Sequence, residues 1–148
     1  MNKLFYSLAF LTVTAFFSCT APTSSNLESL EENEVVVEKN NITLDNGAKW
    51  IANPETTAGV NNMKKLMAEF QDSENTENYS QLKDQLQAEF TMIFKKCTMK
   101  GEAHNQLHNF LIPIKNHLEN LKNSDLTGSK ATFYKLKDHL EIYQNYFV

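Results

Sequence analysis

From Pro54 onward the apolar residues of this chain recur three and four positions apart in four successive runs, the period of one face of an α-helix. Helices of such length are marginal in water by themselves, so each stripe must be buried against the others. The first run is Val60, Met63, Met67 and Phe70, with Leu66 beside it. Pro54 followed by Glu55 marks its start, and the polar stretch from Asp72 to Asn78 its end. The second carries Tyr79, Leu82, Leu86, Phe90, Ile93 and Cys97, and Gly101 breaks it. The third carries His104, Leu107, Leu111, Ile114, Leu118 and Leu121. Within it Pro113 predicts a kink, because it cannot donate to the Asn109 carbonyl. After the turn residues Asn123, Ser124, Asp125 and Gly128, the fourth run carries Phe133, Leu136, Leu140, Tyr143 and Phe147. Short connections make consecutive helices antiparallel neighbours. The expectation is an all-α fold, an up-down-up-down four-helix bundle over residues 54–148.

Upstream the pattern changes. Residues 35–53 read as a small β-hairpin: Val35-Val36-Val37 and Ile42-Thr43-Leu44 are β-prone, and Asp45-Asn46-Gly47 before Lys49-Trp50-Ile51 is a turn signal. Such a hairpin is marginal alone, so Trp50 is expected to pack on the helices. Residues 19–34 are rich in Ser, Thr, Asn and Glu, too poor in apolar surface to fold, and read as a disordered tether. Residues 1–18 have the layout of a secretory signal: Lys3, an apolar stretch from Leu4 to Phe17, then Ser18 directly before Cys19. The apolar stretch is shorter than the roughly 20 residues that span a bilayer.

The chain carries 14 lysines and no arginine against 18 acids, for a net charge of −4. That balance points away from nucleic acid, whose phosphates need a basic face and whose usual readers are arginine forks. Phosphate- or carboxylate-clamping enzymes are disfavoured for the same reason. Glycine-rich phosphate loops, a nucleophile elbow and a paired-carboxylate motif are absent from the sequence. Glu69, Asp72, Asp84, Glu89, Glu119, Asp138 and Glu141 fall on a solvated helix face. No enzyme activity is expected.

The chemistry-bearing residues gather at one place. In the expected topology the end of the second helix, the start of the third, the start of the first and the end of the fourth share one pole. Cys97 and His104 lie there by sequence, and counting turns inward puts Met63, His108 and His139 at comparable depth. Met99 sits in the connection between Cys97 and Gly101. Thiolate, imidazole and thioether together suit a soft or borderline cation, copper first and zinc next. The expected ligands are Cys97 and His104, with Met63, Met99, His108 and His139 as secondary candidates. Met92 falls away from the core face of its helix and is excluded. His117, like His108, is expected to be half-exposed. Against this set stands plain packing, since cysteine and methionine also serve as core fillers. Non-covalent haem between Met63 and His139 or His104 is a weaker option, and without a Cys-x-x-Cys-His motif covalent attachment is excluded.

The Phe16-Phe17-Ser18-Cys19 stretch resembles a relaxed lipobox of the kind seen in Bacteroidota-type lipoproteins. The segment Cys97-Thr98-Met99-Lys100-Gly101 to His104, Leu107-His108, Leu111 and Pro113, with Leu44, Asn46-Gly47 and Lys49-Trp50 upstream, resembles small envelope lipoproteins of that type over residues 42–148. The resemblance implies cleavage before Cys19, lipid on that cysteine, and a place in the bacterial envelope, on the outer membrane. It implies no activity. Lipidation would leave Cys97 without a disulfide partner in its own chain. A metal-free module docking on an envelope protein is the competing expectation, and a contiguous exposed apolar patch would favour it.

Overall fold

The computed structural model describes residues 41–71 and 74–148. The signal at 1–18, Cys19, the tether at 19–34 and Val35-Val36-Val37 lie outside these residues. The fold is all-helical: α1 (Pro54–Glu69), α2 (Thr76–Lys96), α3 (Gly101–Asn123) and α4 (Leu126–Glu141), with the single turn α5 (Tyr143–Tyr146) closing the chain. Each start follows local chemistry. Pro54 opens α1, the Asn75 side chain accepts from the Glu77 N–H at 2.9 Å to cap α2, and Asp125 accepts from Gly128 at 2.8 Å to cap α4. α3 continues through Pro113 as one helix.

The four apolar stripes form the core. Met63, Leu86, Ile114, Leu118 and Leu136 are wholly buried, and the remaining stripe positions in α2, α3 and α4 are nearly so. Cys97 and His104, at the ends of their stripes, are half-buried instead. Consecutive helices run in opposite chain directions. Asn53 meets Lys96, and Asn62 meets Glu89 at 3.0 Å, so α1 and α2 are antiparallel. His139 on Phe110 and Ser129 on Leu121 give the same sense for α3 and α4. Lys64 with Glu141 at 2.7 Å ties α1 to α4. At Gly59 a Cβ would lie 2.5 Å from Ile93 Cγ1, so the bare backbone is what lets α1 come this close to α2.

Of the segment expected as a hairpin, residues 41–53 are described. Asp45 and Ala48 exchange backbone hydrogen bonds of 2.9 and 2.8 Å around Asn46 (φ 49°) and Gly47 (φ 91°), and two successive positive φ values are those of a type I′ turn. Among the described residues no strand extends from that turn. Trp50 pairs in parallel with Phe147. Trp50 N–H donates to Tyr146 at 2.8 Å, Val148 N–H to Trp50 at 2.9 Å, and Ala52 N–H to Val148 at 2.9 Å. Parallel pairing needs a long crossover, and here the crossover is the set of helices itself. Ile42 is buried, Thr43 N–H donates to Gln106 Oε1 at 2.8 Å, and Trp50 Nε1 donates back to the Thr43 carbonyl at 2.6 Å.

Beside this clasp an aromatic cluster centres on Phe110, which is fully buried although it falls between the counted stripe positions Leu107 and Leu111. Its ring lies 5.2 Å from that of Tyr143 and 6.1 Å from that of Phe147. The Tyr143 hydroxyl shares a 2.9 Å hydrogen bond with Thr57 of α1. Burial pushes the Tyr143 phenol above its ordinary value, and the Thr57 contact opposes that only in part. A raised pKa contributes stability that is complete below the unfolded value and is lost as pH climbs through the folded one. Thermal melts at about pH 9 and about pH 11 should therefore show a smaller alkaline loss in Tyr143→Phe than in the wild type.

Candidate metal centre

α2 ends where the chain must turn sharply. Lys95 and Lys96 place positive charge in its last turn, against the negative end of the helix dipole. The Cys97 N–H still donates to Ile93 at 2.9 Å, after which Cys97 takes an extended conformation. Gly101, at φ +62°, swings the chain into α3. Asn53 pins this corner from the start of α1. Its Nδ2 donates to the Lys96 carbonyl at 3.2 Å, and its Oδ1 accepts from Thr98 N–H at 3.5 Å and from the Thr56 hydroxyl at 2.8 Å. The same amide donates to Glu55 at 2.9 Å, which holds that carboxyl below its usual range.

The first turn of α3 is braced from its other side. Glu102 accepts from Gln106 at 2.7 Å and from Asn105 at 3.0 Å, and these two bonds keep its carboxyl below the ordinary value. Gln106, nearly buried, passes the connection on to Thr43. Neither Asn53 nor Gln106 stands out in the sequence; their role depends on partners 43 to 63 positions away.

Between these braces, Cys97 Sγ lies 3.6 Å from His104 Nδ1. On the far side of the same ring, His104 Nε2 lies 3.0 Å from His108 Nε2, with the two rings at 74°. His108 in turn sits edge-on to Phe94 at 5.8 Å. The two imidazole nitrogens can share one proton, with one ring donating and the other accepting. Sulfur reaches Nδ1 while His108 reaches Nε2, so Cys97 and His108 address opposite edges of His104.

That division assigns roles. A zinc-type ion about 2.3 Å from sulfur and about 2.0–2.1 Å from nitrogen would see donors 3.6 Å apart at an angle of about 110°, the tetrahedral value. His104 would then donate Nε2–H to His108, the outer hydrogen bond that ligating imidazoles regularly make. In such an arrangement His108 would act behind His104. The expected ligands separate accordingly. Cys97, His104 and His108 are brought together; Met99 is half-buried and packs against the core from the connection. Met63 is wholly enclosed by other apolar side chains. His139 is only 7% exposed, and its Nε2 donates to the Phe110 carbonyl at 2.8 Å, which takes that nitrogen away from coordination. Its ring stacks on Phe110 at 5.0 Å and faces His117 at 6.3 Å. His117 is buried at 7% exposure, contrary to the half-exposed position expected of it; the third stripe is broad enough at Leu118 and Leu121 to take it in. Met92 is exposed, as its helical phase requires.

Among the described residues, no group of three or more His, Cys, Asp and Glu side chains converges on one point. A cavity of about 370 Å³ lies at the other end of α1 and α2, lined by Leu66, Phe70, Gln71, Asn78, Gln81 and Gln85 among others, and contains neither a histidine nor Met63. No helix among the described residues is long and apolar enough to cross a membrane. Comparison with family models, curated proteins and solved structures finds no match to this chain.

The His139 bond is structural, so His139→Phe should leave metal affinity unchanged while lowering stability by about 1–3 kcal/mol, the cost of a buried carbonyl losing its donor. Urea unfolding beside a zinc titration checks both halves.

Proposed function

We propose that this chain is a lipid-anchored envelope protein whose up-down-up-down four-helix bundle holds a soft or borderline cation, zinc or copper, for storage, delivery or sensing. Cys97 Sγ and His104 Nδ1 are the direct ligands and His108 sets the tautomer of His104. The observation that carries this reading is the 3.6 Å separation of sulfur and nitrogen, already at the spacing a tetrahedral ion needs. Support for rigidity comes from the hydrogen bonds of Asn53 and Gln106, which brace both sides of the corner. A site held in place before binding avoids much of the ordering cost. Two ligands from one chain leave further coordination positions for exchange, which suits delivery or sensing better than deep storage.

Zinc and copper titrations of the full chain in mild detergent, under reductant, test the proposal. Cys97→Ala and His104→Ala should each abolish tight binding while the helical circular dichroism stays unchanged. His108→Phe should weaken it roughly 10–100-fold, as loss of an outer hydrogen-bond partner does. Undiminished binding in Cys97→Ala or His104→Ala overturns the assignment.

The anchor rests on the Ser18-Cys19 junction and the apolar run before it. Acyl chains on Cys19 give the stable membrane hold that a single weak signal does not. Labelled palmitate fed to an expressing bacterium should mark the wild-type chain and not Cys19→Ala; equal labelling of both would remove the anchor from the proposal.

A metal-free docking module is a second reading, and one observation favours it: Phe94 and Ile112 are 47% and 56% exposed beside the Cys97–His104–His108 cluster. Normal membrane partner binding by Cys97→Ala would select it.

A further inference from the structure

The Cys97–His104 pair supplies half of a tetrahedral shell, and it does so at the surface. Both residues are half-buried. A closed zinc site takes four protein donors, commonly two sulfurs and two nitrogens. Exposed apolar side chains border the cluster. His104, His108 and Ile112 succeed one another at four-residue steps along one face of α3, and Ile112 is 56% exposed. Phe94, 47% exposed, lies across from them on α2, edge-on to His108. The segment that crosses α3 elsewhere does so at Gln106 and Asn109. These positions are about 200° and 140° around the helix from His104, so among the described residues that crossing does not touch His104.

We infer that two copies of this chain share one zinc ion, each contributing Cys97 Sγ and His104 Nδ1, with Phe94 and Ile112 of the two copies packed around the ion. The inference rests on the metal reading given above. A twofold arrangement meets its needs directly: a symmetric interface sets the same patch against itself, so one half-site meets its equal. Each thiol gives its proton to solvent as sulfur binds, and the two thiolates neutralise the dication. The two His108 side chains then accept the outer Nε2–H of each ligating ring. The apolar rim excludes water from the ion and supplies contact that two ligands per chain do not.

The experiment is a titration of the reduced, metal-free full chain in detergent with Zn²⁺, and with Co²⁺ as its coloured substitute, followed by light scattering of the protein mass. The expected result is saturation at one ion per two chains, a metal-dependent doubling of protein mass, and cobalt bands of a tetrahedral site bearing two thiolates. Ile112→Glu, which places charge in the rim without touching a ligand, should raise the chain concentration needed for pairing about tenfold. Saturation at one ion per chain with no change in mass overturns the shared site and leaves the metal reading standing. Binding no tighter than that of Cys97→Ala overturns both. A doubled mass that forms without metal and disappears with reductant identifies a Cys97–Cys97 disulfide and likewise overturns the shared ion.

Discussion

Burial of the four apolar stripes sets the rotation of each helix about its own axis, and the placement of the Cys97, His104 and His108 corner follows from that rotation. With Tyr79, Leu82, Leu86, Phe90 and Ile93 turned inward, Cys97 is carried to the inner edge of α2 at its last turn. With Leu107, Leu111 and Ile114 turned inward, His104 and His108 face α2 from the next helix. Neither helix could rotate by a quarter turn to part sulfur from imidazole without exposing several large side chains, each worth about 1.5–3 kcal/mol of burial. The juxtaposition is therefore held by the core and not by the weak sulfur–nitrogen contact itself.

Much of this was legible beforehand because helical periodicity is a local signal. The stripes predicted the buried faces nearly residue by residue, and they put Cys97 and His104 at a common corner. What the stripes do not contain is the identity of partners across the fold. Met63 and His139 sit at the right depth by counting turns, yet Met63 is enclosed by apolar neighbours and His139 spends its Nε2 on the Phe110 carbonyl. His117 is buried beside it in the same aromatic region. The turn Asp45-Asn46-Gly47-Ala48 was visible from its residue types, while the pairing of Trp50 with Phe147 was not, because no short-range pattern announces a partner 97 positions away. Asn53 and Gln106, ordinary polar residues in the sequence, brace the corner only through such distant contacts.

The site shows a division of labour typical of imidazole pairs. One ring edge meets sulfur, the other meets a second ring, and the tautomer of His104 couples the two.

The parallel clasp between Trp50–Ala52 and Tyr146–Val148 has a consequence for how the chain matures. Its second partner follows all four long helices in the chain, whereas the helix pairs draw on contacts between segments that are neighbours in sequence. Local pairings form fast and distant ones slowly. The clasp therefore closes late, and removing Phe147 and Val148 would delete the Trp50–Phe147 bridge and the two hydrogen bonds of Val148, leaving Thr43 on Gln106 and Asn41 on Asn109 to hold this segment to α3.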